Sequence, residues 1–175
     1  MALQGFTYSL SWANDFTEVD NAPTELSNRS ARTKANVTLD PKMIAKRDSK
    51  DSDYYFKPDT VIVIIKTDKT ASWVVKDLKS DKLLAHEQLH YNIAALAGRD
   101  LERKILALRN KDGATLIQEK EALGKAVQSE IDKINKEYDE GLQGTDHGKK
   151  DAEQAKWELH IKSLMGKTDA ELKGI

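Results

Sequence analysis

The spacing of apolar residues differs between the two halves of this 175-residue chain. In the first half, apolar and polar residues alternate with a period of two at 6–12 and 35–39, as is typical of half-buried strands. Residues 61–65 form a continuous β-branched run, which predicts a strand buried on both faces, and residues 71–75 predict a further extended segment. The first half is therefore expected to form a sheet of roughly three to five short strands.

Polar segments separate these predicted strands. Residues 14–30 are rich in Asn, Asp, Ser and Thr and predict a loop. Pro41 is expected to end the second strand, because proline cannot donate a hydrogen bond to a neighbouring strand. The strongly charged residues 42–57 predict an exposed connection.

In the second half, apolar residues recur with a period near 3.6, which predicts three long amphipathic helices. Ser80 and Asp81 supply an N-cap and an acidic first turn for the first helix, which is expected to run to about Arg109. The second helix follows the turn at 110–113 and returns antiparallel to the first. Strands first and helices second predict one α+β domain over 1–175, with a small, mostly antiparallel sheet in the N-terminal half packed on these helices.

The first predicted helix carries the pattern His-Glu-x-x-His at His86, Glu87 and His90. Positions i and i+4 of a helix lie on one face, so both imidazoles can bind one zinc ion from the same side. Glu87 lies beside them, placed to reach a water in an open coordination position. Two histidine ligands and a glutamate at this spacing are the residues that one helix contributes to a zinc hydrolase site. The competing interpretation is two surface histidines and a solvated glutamate on an ordinary amphipathic helix.

The composition narrows the classes of partner. A net charge of -1 gives no general attraction to nucleic acid or anionic membranes, and no apolar run approaches the length of a membrane span. The chain has no cysteine, so a bound metal must be held by nitrogen and oxygen ligands. Residues 1–10 show no basic segment followed by an apolar run, so no signal peptide is predicted.

A catalytic zinc usually has three protein ligands, so a third must come from outside the motif. The metzincin extension requires a histidine six residues after His90, but Leu96 stands there and Ile93 replaces the expected glycine. That arrangement is excluded. A thermolysin-like site takes a glutamate from a later helix, although each available glutamate also suits a solvated helix face. The available glutamates are Glu102, Glu119, Glu130 and Glu137.

The turn at 144–148, Gly-Thr-Asp-His-Gly, is the other source of a third ligand. It follows the second helix, where the chain returns towards the first, and its glycines would let His147 approach a metal closely. An ordinary loop or capping role for His147 competes equally with ligation, and Asp146 is the alternative ligand in this turn. His160 is expected to be a packing or surface histidine.

Several separated segments resemble a bacterial family of uncharacterised proteins that are predicted to be secreted zinc-dependent proteases. Residues 83–91, Leu-Leu-Ala-His-Glu-Gln-Leu-His-Tyr, are similar to the family's Leu-Leu-x-His-Glu-Gln-x-His-Phe. Residues 10–16 resemble its opening Leu-x-Trp-x-Asp-Phe, and residues 72–74 its Ser-Trp segment. The family's closing Tyr-Asp, Thr-x-His-Gly and Gln-x-x-Trp elements resemble Tyr138-Asp139, residues 145–148, and Gln154 with Trp157.

This resemblance implies a zinc metallopeptidase with a zincin-like active-site helix. His86, His90 and His147 would be the zinc ligands, and Glu87 the general base that takes a proton from a zinc-activated water. The substrate would be a peptide or protein. The resemblance also implies a secreted or periplasmic location, whereas the lack of a visible signal peptide leaves a cytoplasmic location open.

Further residues receive roles within this hypothesis. Tyr138 is the candidate catalytic donor to the oxyanion, with a core tyrosine as the alternative. Asp139 or another acid is expected to orient a ligand imidazole, and Arg99 to pair with a carboxylate near the site or to solvate its helix. Residues 71–75 are the candidate edge strand with which an extended substrate pairs.

The sequence also admits functions from other classes. One is a non-catalytic zinc-binding domain with four protein ligands, and another is a helical interaction module that binds no metal. An amide hydrolase that acts on other substrates would use the same motif. Neither nucleic acid nor a membrane is predicted as a partner, and the sequence does not determine the oligomeric state.

Overall fold

Within residues 2–50 and 52–167, which the computed structural model describes, the N-terminal half forms two three-stranded sheets. The first sheet contains, in spatial order, β1 (Ala2–Gln4), β5 (Tyr55–Thr67) and β4 (Ala35–Lys46). The second contains β2 (Thr17–Val19), β6 (Trp73–Val75) and β3 (Ala31–Arg32).

Both sheets are mixed. β5 pairs parallel with β1 and antiparallel with β4, and β6 pairs parallel with β2 and antiparallel with β3. The predicted mostly antiparallel arrangement therefore describes the long β4–β5 hairpin better than the sheets as a whole. The predicted α+β class is confirmed, because the strands precede the long helices instead of alternating with them.

The β4–β5 hairpin is longer than predicted. Residues 42–46 and 55–57, expected to belong to an exposed connection, continue the two strands. Their charges mark side chains that face solvent, but the backbone still pairs across the hairpin. Pro41 does not end β4, because β4 lies at the edge of its sheet and leaves the proline nitrogen without a required partner. The register shifts just beyond it, between Lys42 and Met43.

The central strand β5 has one buried face. Val61, Val63 and Ile65 are buried, whereas Ile62 and Ile64 are only half-buried. The prediction of burial on both faces is therefore wrong for the second face. A β-branched run of this length is compatible with either pattern.

The predicted strand at 6–12 is wrong. The segment turns and leads into a short helix, α1 (Trp12–Asp15). The hydroxyl of Ser11 accepts a hydrogen bond from the backbone nitrogen of Asn14, and the carboxylate of Asp15 accepts one from the nitrogen of Ser11 at 2.8 Å. These local polar bonds favour a helical turn over the strand that simple alternation predicts.

The second sheet corrects two further predictions. The predicted loop at 14–30 contains β2 and a 3₁₀ turn at Thr24–Leu26. Residues 71–75 include the extended strand β6, as predicted, but β6 lies between β2 and β3 and is not an edge strand. The edges of this sheet are β2 and β3, and β3 is the one that borders the cleft described below.

The three long helices follow the prediction closely. They are α2 (Asp81–Leu106), α3 (Gly113–Glu140) and α4 (Asp151–Gly166). The side chain of Ser80 caps α2 by accepting from the nitrogen of Leu83, and Asp112 caps α3 in the same way. No helix in the described part of the chain is long and apolar enough to cross a membrane.

Helix α2 is the central element of the fold. One face packs on β5, where a methyl group at Gly98 would lie 3.3 Å from side-chain carbons of Val37 and Ile65. Glycine thus lets the helix lie close to the sheet. The other face packs against α3 and α4 through a separate apolar cluster of Leu89, Ile93, Tyr138 and Ile161. The motif histidines therefore stand on a helix that is fixed from both sides.

Candidate metal centre

His86, Glu87 and His90 lie together on the wall of a cleft of about 360 Å³. All three side chains are buried, and the two imidazole rings are 4.9 Å apart at an angle of 88°. The cleft is bordered by α2, by the C-terminal part of α3 and by residues 29–35 around β3. The helical spacing thus brings both imidazoles to one face, as the motif predicts.

Asp139, near the end of α3, completes a group of three potential metal ligands with His86 and His90. Its Oδ1 atom lies 3.3 Å from Nε2 of His86 and 3.1 Å from Nε2 of His90. Ligands about 2.0–2.1 Å from a tetrahedral metal lie about 3.3 Å from one another. These distances therefore suit ligands that share one metal ion.

The other nitrogen of each imidazole has its own partner. Nδ1 of His86 lies 3.1 Å from Oε1 of Gln154, and Nδ1 of His90 lies 2.9 Å from Oδ1 of Asn135. The amide nitrogen of Gln154 donates to Glu158, so its oxygen must be the atom that faces His86. Both amide oxygens accept hydrogen bonds, which places a proton on each Nδ1 and leaves each Nε2 as the atom that binds a metal or a second proton.

The three converging atoms require a positive charge between them. Oδ1 of Asp139 is buried and has no hydrogen-bond partner among the described residues, although the Nε2 atoms of both motif histidines lie within 3.3 Å of it. Burial alone would lower the pKa of His90, but the Asp139 carboxylate raises it to about 9. Burial would raise the pKa of Asp139, yet the two imidazoles hold that pKa well below its ordinary value. The site therefore attracts either a proton or a metal cation, and its donor set fits a metal.

Glu87 is held beside this group by a residue from the sheet. The hydroxyl of Thr33 donates to Oε2 of Glu87 at 2.6 Å. Thr33 follows β3 directly, so the cleft wall opposite α2 fixes the glutamate. The carboxylate is buried and yet lines the cleft, which is the placement a general base requires.

His147 lies next to the group but outside it. Its Nδ1 is 3.4 Å from Oδ2 of Asp139, and its Nε2 is 3.3 Å from the amide nitrogen of Asn28. Burial lowers its pKa, partly offset by the charge of Asp139. The turn thus brings His147 to the cleft, as predicted, but the group of potential metal ligands contains Asp139 and not His147. The predicted ligand role of His147 stays a prediction. Asp146 is exposed and is not part of that group.

The glutamates considered as third ligands lie elsewhere. Glu119 accepts a hydrogen bond from Asn110, and Glu130 and Glu137 line a different cavity. Glu102 is buried on α2 but does not line the cleft.

Tyr138 does not face the cleft. It is fully buried, its ring stacks on His86 at 4.7 Å, and its hydroxyl donates to Oε1 of Gln154 at 2.7 Å. The oxyanion role predicted for Tyr138 therefore has no support in this geometry, because its hydroxyl lies behind the imidazole. Burial raises the pKa of Tyr138 above its ordinary value, which also keeps the phenol neutral.

Two other predicted residues lie away from the site. Arg99 donates to the carbonyl oxygen of Lys167, and its guanidinium lies 5.2 Å from the ring centre of Phe6. His160 is an exposed residue of α4, which agrees with the expected surface role. Both line the second cavity instead of the cleft.

The sequence predicts that Asp139 or another acid orients a ligand imidazole through its second nitrogen. In the structure two amides, Gln154 and Asn135, contact the Nδ1 atoms, whereas Asp139 lies beside the Nε2 atoms. A usable signal was present, since residues 135 and 139 are spaced i and i+4 and share one face of α3. Thr33 carried no comparable signal, because its contact with Glu87 spans 54 residues.

A protein family described as "Bacterial protein of unknown function (DUF922)" matches residues 65–148 of this chain. The matched segment contains the motif helix, Asp139 and His147, and it excludes Thr33 and Gln154. The match agrees with the predicted resemblance to an uncharacterised bacterial family, while the proteolytic activity stays a prediction. Neither the search of curated proteins nor the search of solved structures gave a match.

Proposed function

We propose that the protein is a zinc-dependent hydrolase that cleaves peptide bonds. One observation carries the proposal: the carboxylate of Glu87 lines the same cleft as the metal-donor group of His86, His90 and Asp139. A donor group alone would suit a structural metal site. A buried carboxylate next to it, on the substrate-accessible side, is what hydrolysis requires in addition.

The donor set favours zinc among the common metals. Two imidazole nitrogens and one carboxylate oxygen are typical of catalytic zinc sites, which leave a fourth position open. When bound, Zn²⁺ would supply a Lewis acid that polarises the substrate carbonyl and lowers the pKa of a water to near neutrality. Gln154 and Asn135 would keep both imidazoles in the tautomer that binds metal through Nε2.

Glu87 would act as the general base. It accepts a proton from the attacking water and passes it to the leaving amine. The hydrogen bond from Thr33 occupies Oε2 of Glu87 and fixes the orientation of the carboxylate. This bond joins the base to the wall along which we place the substrate.

The substrate would bind in extended form beside β3. β3 pairs with β6 on one side and lies at the edge of its sheet among the described residues. A peptide laid along this edge could form backbone hydrogen bonds with it. It would then pass Glu87, because Thr33 directly follows β3 and contacts that glutamate. β3 thus replaces residues 71–75 as the proposed docking strand.

The test uses the full chain, purified without chelator, together with Glu87→Gln and the matched control Glu121→Gln, which changes an exposed glutamate. Zinc content is measured by mass spectrometry, and hydrolysis with fluorescently labelled casein. We expect about one zinc per chain in all three proteins. Cleavage should fall by about 10²–10⁴-fold in Glu87→Gln only, the usual contribution of a general base.

The other outcomes separate the competing functions. Full activity in Glu87→Gln would contradict the mechanism. Stoichiometric zinc without cleavage by the wild type would favour the non-catalytic zinc domain, in which a fourth protein ligand fills the open position. Absence of zinc would favour the helical interaction module.

A further inference from the structure

We infer that His147 positions the carboxylate of Asp139 for metal binding and is not itself a metal ligand. The inference rests on the proposed function only in taking His86, His90 and Asp139 as the metal-binding group. It concerns how the chain prepares that group, and it makes no use of the reaction.

The two oxygens of Asp139 face different partners. Oδ1 faces the Nε2 atoms of the two motif histidines. Oδ2 lies 3.4 Å from Nδ1 of His147 and 3.5 Å from Nη1 of Arg29. Oδ1 is therefore left for the metal, while Oδ2 is surrounded by nitrogen donors that can fix the rotation of the carboxylate.

The two ring nitrogens of His147 lie near different side chains. Nε2 lies 3.3 Å from the amide nitrogen of Asn28 and 3.8 Å from Oε1 of Glu140. Nδ1 is the atom that lies beside Asp139. Among the described residues, the donor atoms that lie within 4.8 Å of one another come from the two motif histidines and Asp139, so His147 stands beside the carboxylate and outside the group.

The backbone of the turn has an unfavourable conformation, which holds His147 beside Asp139. Asp146, His147 and Gly148 have consecutive positive φ angles of 49°, 53° and 80°. Such angles are unfavourable for non-glycine residues and persist where the surroundings enforce them. Here the nitrogen of Asp146 donates to the carbonyl oxygen of Asp139 at 2.9 Å.

Gly148 sets the distance between the turn and the motif helix. A methyl group at this position would lie 3.1–3.3 Å from atoms of the His86 side chain, closer than most packed carbons. The turn is thus bonded to the backbone of Asp139 and packed against a motif histidine. Its strain is placed where it orients His147 towards the carboxylate.

Arg29 supports the same carboxylate from the N-terminal segment. Its guanidinium reaches Oδ2 of Asp139 and also Oε1 of Glu140, the latter at 3.2 Å. Because two groups share Oδ2, we expect loss of His147 to weaken the orientation of Asp139 and not to abolish it. A lost ligand would have a larger and independent effect on metal affinity.

The test compares His147→Asn with His147→Leu in the metal-free full chain. The two side chains have similar shapes, but only asparagine can donate an N–H to Oδ2. Zinc affinity is measured by competition with a chromophoric chelator. We expect His147→Leu to lower the affinity by about 10–100-fold, as for other groups that orient metal ligands, and His147→Asn to recover most of it. His160→Leu changes an exposed histidine outside the cleft and should have no effect.

A double-mutant cycle with Asp139→Asn decides whether His147 acts through Asp139. In the Asp139→Asn background, His147→Leu should cause no further loss of affinity. The cobalt-substituted His147→Leu protein should keep the visible absorption bands of the wild type, because its ligands are unchanged. Additive losses in the cycle, or cobalt bands that show one fewer nitrogen ligand, would overturn the inference. Circular dichroism confirms folding, and His147→Ala provides a further donor-free variant should leucine not fit.

These measurements do not require hydrolysis. A wild type that binds zinc with the expected pattern but cleaves nothing contradicts the proposed function and leaves the role of His147 in place. An active wild type with additive losses contradicts the role of His147 alone.

Discussion

Two cavities open on helix α2, and they differ in chemistry more than in size. The cleft of about 360 Å³ contains the motif histidines, Glu87 and Asp139. The second cavity, about 510 Å³, lies between α2, α3 and α4. Its apolar lining consists of Ile93, Leu96, Ala97, Val127, Ile134, Trp157, Ile161 and Leu164. The larger cavity is therefore the one without a converging set of polar atoms.

The two cavities differ in whether their charged side chains have partners. At the apolar cavity, Asp100 forms ion pairs with Arg103 and Lys104, so these charges are satisfied locally. In the cleft, Oδ1 of Asp139 lies close to two imidazole Nε2 atoms and has no hydrogen-bond partner among the described residues. The comparison shows that an unsatisfied convergence of donors marks the functional candidate better than cavity volume does.

The largest effect on the free energy of unfolding is expected from a substitution in the apolar cavity. Ile161→Ala removes a buried side chain from the cluster with Leu89 and Ile93, and should lower the free energy of unfolding by about 2–5 kcal/mol. Urea denaturation measures this loss. The matched control Leu159→Ala changes an exposed residue of the same helix and should cost less than about 0.5 kcal/mol. A large loss of zinc affinity in Ile161→Ala would show that the two cavities are coupled.

A substitution in the cleft should instead weaken zinc binding more than it lowers the free energy of unfolding. Asn135→Ala removes the acceptor for Nδ1 of His90 and should weaken zinc binding by about 10–100-fold. The free energy of unfolding of the metal-free protein should fall by only about 1 kcal/mol, because the buried Nδ1–H of His90 loses its acceptor but no apolar contact of the clusters is removed. Gln128→Ala changes a residue of α3 that lines the same cleft but bonds to Asp132, and it serves as the control. Equal zinc affinities in the two variants would argue against His90 as a ligand.

Zinc affinity is also expected to depend on pH. His90 has a pKa of about 9 in the metal-free protein, so zinc must displace a proton. Zinc affinity should therefore rise by up to about tenfold per pH unit between pH 6 and 8. Competition titrations at several pH values measure this slope, which should become shallower above pH 7 in Asp139→Asn, because the carboxylate that raises the pKa is gone. A slope unchanged by that substitution would contradict the pairing.

The raised pKa of His90 also determines how the stability of the metal-free protein changes with pH. An unfolded histidine has a pKa of about 6.5, below the folded value for His90. The contribution of the His90–Asp139 pair is therefore present between about pH 4 and 6.5 and is lost as the pH rises through about 9. It also declines in acid, because the pKa of Asp139 lies below that of an unfolded aspartate. Ile161→Ala changes no titratable group, so it should shift the whole stability profile without changing its shape.

The helical half of the molecule could be predicted from the sequence because its signals are local. Ser80 and Asp112 cap helices whose apolar period is regular, and the observed bounds agree with the prediction. The strands were harder to predict. At residues 6–12, side-chain bonds of Ser11 and Asp15 overrule the alternation, and strand pairing that spans many residues leaves no local pattern.

The candidate site also contains residues that the local sequence predicts and residues that it does not. The three motif residues are visible because helical periodicity places them together. The third donor was not, because Asp139 and His147 lie near one another and the sequence contains no information on which of them faces the two Nε2 atoms. The rotation of a carboxylate and the tautomer of an imidazole depend on partners such as Asn28 and Gln154, which only the folded chain brings close.

The contact between Thr33 and Glu87 has a consequence for how the protein would acquire its metal in a cell. That contact spans 54 residues, and the Arg29–Glu140 pair spans 111, so the cleft is complete only after residues 29–35 have packed against α2 and α3. A partly folded chain would lack the contacts that orient Glu87 and Asp139 and would bind metal poorly. Metal binding would thus favour the completely folded chain, since zinc at 1,000 times its Kd would stabilise the native state alone by about 4 kcal/mol.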